Sequence, residues 1–243
     1  MNTSSPPLQA ALLQNPLLNG QTLGDEERTI LTSVGFVGRS YPAHSPIRLS
    51  GEGAHRIFLF HSGWCCLYRD LREGERQILD FPLSGDIVEL GSSRAETHAE
   101  LITITDAALF EAPAQKVISA FSTSRRLASI LFQAKTREEA IAAEHLLNLG
   151  RRRASVRTAH LILELYERLE ASGHANGGRF ECPLTQHELA DALGLTPIHV
   201  NRMLRELREE GLLSFRQGMV EFLDKEKTIE FADFDNHYLS RRT

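Results

Sequence analysis

Residues 184–211 read LTQHELADALGLTPIHVNRMLRELREEG, and their polar side chains are spaced for contact with a duplex rather than for bond-making. Thr185 stands where an N-cap belongs, and Glu188, three residues later, completes a capping box. The helix that follows turns Leu189, Ala190 and Leu193 inward and ends at Gly194, suited to a left-handed C′ position. Thr196 caps a second helix, and Pro197 takes its first position, where a missing N–H costs nothing. Val200, Met203, Leu204 and Leu207 line one face of that helix, and Gly211 closes it. Two helices joined by a turn of about three residues with Gly inside predict a helix-turn-helix, and the small Ala190 permits a close crossing.

The outer face of the second helix carries Ile198, His199, Asn201, Arg202 and Arg205. A major groove accepts one helix, and side chains of its first two turns reach the base edges. Arg202 can donate paired hydrogen bonds to guanine O6 and N7, Asn201 can face adenine or a phosphate, and Gln186 is placed for a phosphate. Thr185 and Thr196, at the two helix starts, complete the set. Downstream, residues 212–215 and 219–223 flank Arg216-Gln217-Gly218, which predicts a hairpin with a basic tip, the wing of a winged helix. A plain αα-hairpin in a helical bundle explains the apolar stripe, but not the caps, the Gly turn and the hairpin together. Cys182, just before Pro183-Leu184-Thr185, has two readings: a redox-sensitive thiol whose adduct would crowd a phosphate contact, or a half-buried small apolar residue.

These residues need a scaffold. From residue 35 to Pro113, short apolar runs such as Ile57–Phe60 and Ile87–Leu90 alternate with Ser62-Gly63, Arg72-Glu73-Gly74 and Leu83-Ser84-Gly85-Asp86. That rhythm predicts an all-β barrel or sandwich, with Glu73-Gly74 at a hairpin tip. Residues 122–149 lack Pro and Gly and place Leu127, Leu131, Ala134, Glu138, Ile141 and His145 on one stripe of a long helix. The stripe fits either packing on the chain's own barrel or a coiled-coil-like dimer seam of Leu127, Leu131, Ala134 and Ile141. Gly150 is expected to stop that helix, and Val156–Leu169 reads as a second amphipathic helix. The expected class is α+β: an arm over 1–22 with a short helical turn at Leu8–Leu13, a barrel or jelly-roll domain over 23–121, a long helix over 122–149 and a winged helix-turn-helix domain over 150–243.

The chain has 243 residues, 42% hydrophobic and 24% charged, with a net charge of −5. Residues 150–223 carry ten basic against ten acidic side chains, so any nucleic-acid reading rests on where the arginines sit. The apolar runs fall short of a membrane span, and Met1–Leu8 shows no secretory signal, so a cytoplasmic location is expected and no membrane partner. Three cysteines, two of them adjacent, fit free thiols in a reducing compartment. No metal or cofactor is required. No Gly-x-Ser-x-Gly or phosphate-binding Gly loop occurs, and His187-Glu188 lacks the second His of a zinc protease, so an enzyme is not expected. A small-molecule-binding module acting on a protein partner would explain the β-domain but leave the winged helix idle.

With these pieces in order, residues 23–223 resemble the Crp/Fnr family of bacterial transcription regulators. The strongest stretches are FLFHSGWCCLYRDLREGERQILDFPLSGDIVEL (58–90) and LTQHELADALGLTPIHVNRMLRELREEGLL (184–213), with TIEFADFDNHYL (228–239) similar to tails in proteobacterial branches. Asp224 is expected to cap a final helix there, with Ile229, Phe231 and Phe234 packing back. The resemblance implies a homodimer joined along the long helix, a palindromic double-stranded operator with half-sites one helical turn apart, and contact with RNA polymerase.

Departures from the family pattern limit the effector. Members that bind cyclic AMP carry Gly-Glu-Leu and then Arg-Ser or Arg-Thr about eleven residues after the Gly. Here Gly85-Asp86-Ile87 is followed by Glu96-Thr97 at that spacing, with Arg94 nearby but followed by Ala95. An acidic side chain would repel a cyclic phosphate. Gly85, Asp86, Arg94 and Thr97 are the candidate pocket for an unidentified small-molecule effector. The oxygen-sensing branch uses four cysteines for its cluster, and this chain has three, none before Cys65. Haem ligation by His44, His55, His61 or His98 is the weaker remaining option. In the recognition helix, the family often has Glu four residues before the arginine that aligns with Arg202; here Ile198 stands there.

Overall fold

The structure is a computed structural model, and it describes residues 23–48, 55–91 and 99–239. The arm over 1–22, Arg94, Thr97 and His98 lie outside the described residues. By internal contacts, the described residues up to Leu67 and from Phe81 to Glu138 form one compact unit; Tyr68–Asp80 and those from Glu139 on form the other.

The first unit opens with α1 (Asp25–Val34) and the strands β1 (Val37–Tyr41), β2 (Pro46–Ile47) and β3 (Arg56–Ser62). β4 (Cys65–Asp70) begins in this unit and β5 (Arg76–Asp80) belongs to the other, while β6 (Ile87–Leu90), β7 (Glu100–Thr103) and β8 (Ala107–Pro113) complete the first. Two four-stranded sheets result, ordered β1-β8-β3-β6 and β2-β7-β4-β5. The register runs Val37↔Glu111 to Tyr41↔Ala107 between β1 and β8, and Arg56↔Leu90 to Leu59↔Ile87 between β3 and β6, both antiparallel. The apolar run of β3 explains the layering. Side chains alternate across a strand, so Phe58 and Phe60 enter a core with Ile47, Val88, Leu101 and Leu109, drawn from both sheets. Ile57 and Leu59 enter a second core with Leu31, Val117, Phe121, Leu127 and Ile130 from the helices. A strand covered on both faces has no polar alternates. The expected β-domain is present, as a sandwich.

Sequence periodicity missed β1 and β2. The first is a mostly exposed edge strand and the second has two residues, so neither shows an alternating pattern. The hairpin tip is as expected: Gly74 takes φ 84°, its N–H donates to the Leu71 carbonyl at 3.0 Å, and Leu71 N–H donates to Glu75 at 2.7 Å.

The helical part differs at its edges. A separate α2 (Ala114–Phe121) precedes α3 (Arg125–Arg151). The break falls on Ser122-Thr123-Ser124, whose hydroxyls take local backbone bonds. Ser122 and Thr123 donate to the carbonyls of Ser119 and Ala120, and Ser124 Oγ accepts from Leu127 N–H. Gly150 does not stop α3. It lacks a left-handed φ, and the helix runs on to Arg151.

The face of α3 expected to form a seam is covered by the chain itself. Leu127 is 0% exposed and Ile141 3%, Ala134 is buried, and Leu131 is half-buried against the helix-side core. The apolar side chains α3 presents to solvent include Phe132 at 74% and Leu146 at 73%. A periodic stripe marks a covered face without saying which molecule covers it, and here the stripe packs at home.

The second unit is built on α4 (Ala154–Ala171), whose Ala159, Ile162, Leu163, Tyr166 and Leu169 are buried as expected. Around it lie β9 (Arg179–Glu181), α5 (Gln186–Leu193), α6 (Pro197–Glu209), β10 (Leu213–Arg216), β11 (Met219–Phe222) and α7 (Lys225–Ala232). The three strands form one sheet, ordered β10-β11-β9. Asp224 caps α7, accepting from Lys227 N–H at 3.0 Å, and Phe234 packs back, while Ile229 and Phe231 are half-buried.

Candidate nucleic-acid interface

The capping chemistry fixes where α6 begins and which way it faces. Thr185 Oγ1 accepts from Glu188 N–H at 3.3 Å, and Glu188 Oε2 accepts from Thr185 N–H at 2.6 Å. Gly194 turns the chain at φ 58°, ψ 45°, where a residue with Cβ would be strained, and Leu195 N–H donates to Ala190 at 3.0 Å. Thr196 Oγ1 then accepts from His199 N–H at 3.3 Å. With Val200, Met203 and Leu207 buried beneath it, α6 has one rotational setting, and its outer face is determined.

That face carries the expected set. Ile198, Asn201, Arg202 and Arg205 are exposed, His199 is half-buried, and Thr185, Gln186 and Thr196 are exposed at the two helix starts. Gln186, Asn201, Arg202 and Arg205 share a cleft of about 420 Å³. Two residues the sequence reading left out line it as well, Arg208 and Phe215. Arg208 was legible: Arg202, Arg205 and Arg208 recur every third residue, and side chains so spaced share a helix face. Among the described residues no carboxylate pairs with Arg202, whereas Arg205 Nε lies 3.3 Å from Glu209 Oε1.

The wing forms as expected. Leu213↔Phe222 to Arg216↔Met219 pair antiparallel, and Gln217 (φ 52°) with Gly218 (φ 74°) makes the two-residue turn. Arg216 is exposed beside that turn.

Cys182 is not the exposed thiol a redox sensor needs. It is 1% exposed, its N–H donates to Gly218, and burial pushes its thiol up to about 12, which leaves little thiolate to react. Of its two readings, the small apolar one describes it. Of the candidate effector residues, Gly85 and Asp86 are described. Gly85 takes φ 89° in a turn, and buried Asp86 accepts from Leu83 N–H at 2.8 Å through Oδ2 and from Arg137 Nη1 at 2.6 Å through Oδ1. Its carboxylate ties the turn to α3.

One buried polar cluster lies within the second unit. Arg168 donates to both Asp80 oxygens, at 2.7 and 3.2 Å, and to Glu164 Oε1 at 3.2 Å. His145 places Nε2 on Glu164 at 3.0 Å and Nδ1 on the Leu79 carbonyl at 2.9 Å, and Tyr238 donates to Glu164 Oε2 at 2.8 Å. Both imidazole nitrogens face acceptors, so the ring is doubly protonated. Burial opposes that charge, but Glu164 outweighs it and raises His145 to about 9. Burial likewise opposes the Glu164 charge, and His145, Arg168 and Tyr238 together lower it to about 2. Asp80, His145 and Glu164 present ligand atoms within 4.8 Å of one another, yet two cations already balance two carboxylates there. A metal ion would have to displace Arg168, so the cluster reads as an ion-pair network.

Comparison with known proteins places the architecture. Residues 156–227 match the Crp-like helix-turn-helix domain, and residues 38–124 match the cyclic nucleotide-binding domain. The nitrogen fixation regulation protein FixK of Rhizobium meliloti is 30% identical over 181 residues, 74% of this chain and 79% of that protein. FixK of Bradyrhizobium diazoefficiens is 31% identical over 168 residues, 68% and 69% of the two chains. The solved structure of FixK2 from Bradyrhizobium japonicum superposes with a TM-score of 0.70 at 26% identity, covering 86% of this chain and 98% of that one. These relatives are transcription regulators and not enzymes. Among the described residues, no helix is long and apolar enough to cross a membrane. The two domain matches and these relatives agree: the chain belongs to the Crp/Fnr family of DNA-binding transcription regulators.

Proposed function

We propose that this regulator binds a palindromic operator as a homodimer, each α6 entering the major groove of one half-site and Arg202 reading a guanine there. The observation that carries the reading is the guanidinium of Arg202, without a carboxylate partner among the described residues, on an exposed face whose rotation the caps fix. Gln186 and Arg216 flank it as phosphate contacts, Thr185 and Thr196 stand exposed at the two helix starts, and His199, Asn201, Arg205 and Arg208 supply the rest of the footprint. Two-fold DNA calls for a two-fold protein. The exposed apolar residues of α3, Phe132 and Leu146, stand fourteen positions apart, two heptads on one stripe, which supports a second copy packing there. A DNA target implies the cytoplasm.

RNA polymerase contact rests on the family resemblance alone. For the effector, the Asp86–Arg137 pair supports a regulator that does not take cyclic AMP at this turn, because an added phosphate would meet a buried carboxylate already committed to its own chain. The test is a gel shift and footprint of the full chain on genomic fragments, followed by transcription with purified polymerase. A protected two-fold repeat that alters transcript yield supports the reading; no protected repeat at any salt concentration contradicts it.

A further inference from the structure

The first turn of α6 carries an oddity. Ile198 is 84% exposed, more than any other large apolar side chain noted as exposed among the described residues. Isolated exposed apolar residues are ordinary on protein surfaces, so exposure alone decides nothing. Its position does. Local helix physics favours an acid here, since carboxylates stabilise helix N-termini; α1, α5 and α7 carry acids in their first turns, while α2, α3 and α4 do not. The first turn of α6 has none and places a β-branched apolar residue instead, a poor choice for a solvated helix surface. The residue is not recruited into the domain core either, because Val200, Met203 and Leu207 fill the inner face.

Ile198 lies four residues before Arg202, on the same face. Four residues advance about 6 Å along a helix, while stacked base pairs repeat every ~3.4 Å. If Arg202 reads a guanine, the Ile198 side chain meets the base pair one or two steps away. The apolar group that base edges offer in a major groove is the thymine C5-methyl. Cytosine at that place would press its N4 amino donor against a side chain with no acceptor, leaving it unsatisfied.

We infer that Ile198 is a specificity-determining residue that selects thymine, through its methyl group, one or two base pairs from the guanine read by Arg202. The inference rests on the groove-reading role of α6 proposed above and adds to it the identity of a second base. An acidic residue at this place would select cytosine; this chain would not.

The experiment is selection of bound duplexes from a random pool by the full chain. The expected motif holds a guanine with a thymine one or two positions away. Within it, that thymidine is then replaced by deoxyuridine, which removes the methyl group alone. Wild-type affinity should fall about fourfold, the worth of one buried methyl, and the affinity of Ile198→Ala should not change. Ile198→Glu should shift the selected base to cytosine while keeping the guanine. Equal wild-type affinity for the thymidine and deoxyuridine duplexes overturns the inference, with no variant needed, and so does a selected motif with guanine but no preferred thymine. Failure of the wild-type chain to select any sequence overturns the groove-reading role itself, a distinguishable outcome.

Discussion

Arg168, in the last turn of α4, grips Asp80, at the end of β5, with two hydrogen bonds across 88 positions of chain. The arginine side chain is 1% exposed, so its charge has been taken out of water and depends on the carboxylates around it. Glu164 supplies the second. Through this pair the hairpin of residues 68–80 becomes part of the unit that holds the winged helix, and Gln77 adds a bond from its amide to the Ala192 carbonyl in α5 at 3.3 Å.

Removing one member of such a pair leaves the other buried and uncompensated, which costs ~3–5 kcal/mol. Asp80→Ala is therefore expected to lower the stability of the protein by about 3 kcal/mol in urea unfolding. A loss below about 1 kcal/mol would show that Arg168 finds water or another carboxylate without cost.

The neighbouring histidines give a pH dependence with two limbs. His145, raised to about 9, contributes stability that is fully present below its unfolded value of about 6.5 and is lost as pH rises through 9. His160 has the opposite sign. Its Nδ1 lies 3.0 Å from the Asn148 amide nitrogen, which fits a neutral ring accepting a bond, and burial followed by Arg152 lowers it to about 4. Keeping it neutral costs more as pH falls from 6.5 towards 4. Stability should therefore peak near pH 6.5, with each limb on the order of 3 kcal/mol. Urea midpoints across pH should show His145→Gln flattening the alkaline limb and His160→Gln the acid one. Limbs that survive in both variants would assign the dependence elsewhere.

The exposed face of α3 makes a prediction that separates it from the buried one. Phe132→Asp is expected to yield a folded monomer, because its side chain touches solvent rather than core. Leu127→Asp should instead unfold the β-domain, since Leu127 is sealed among Val117, Phe121 and Ile130. Sedimentation for mass and circular dichroism for fold distinguish them. A Phe132→Asp protein that keeps the wild-type dimer mass would remove this face from the assembly.

Much of the winged helix was legible in the sequence because its signals are local. Thr185 with Glu188, Gly194, Thr196 with Pro197, and Gln217-Gly218 each fix a backbone choice within four residues. The β-sandwich was legible in outline, from apolar runs between turn residues, but not its edge strand, where Val37–Tyr41 has little to bury. What escaped were facts about which surfaces meet. The stripe through Leu127 and Ile141 announces a covered face and is silent on the cover. Cys182 looks poised for chemistry beside a helix start, yet it is buried. The union of Asp80, His145, Glu164, Arg168 and Tyr238 joins five positions spread over 159 residues of chain, a distance at which no spacing rule speaks.

The account stands most directly on base reading by Arg202. The measurement is the affinity of wild-type and Arg202→Ala protein for the selected operator, for operators with the guanine replaced, and for random duplex of equal length. Arg202→Ala should bind the operator ~1–3 kcal/mol more weakly, lose its preference at that one base pair in each half-site, and bind random duplex nearly as wild type does. An equal loss on operator and random DNA, with the base preference intact, would contradict it.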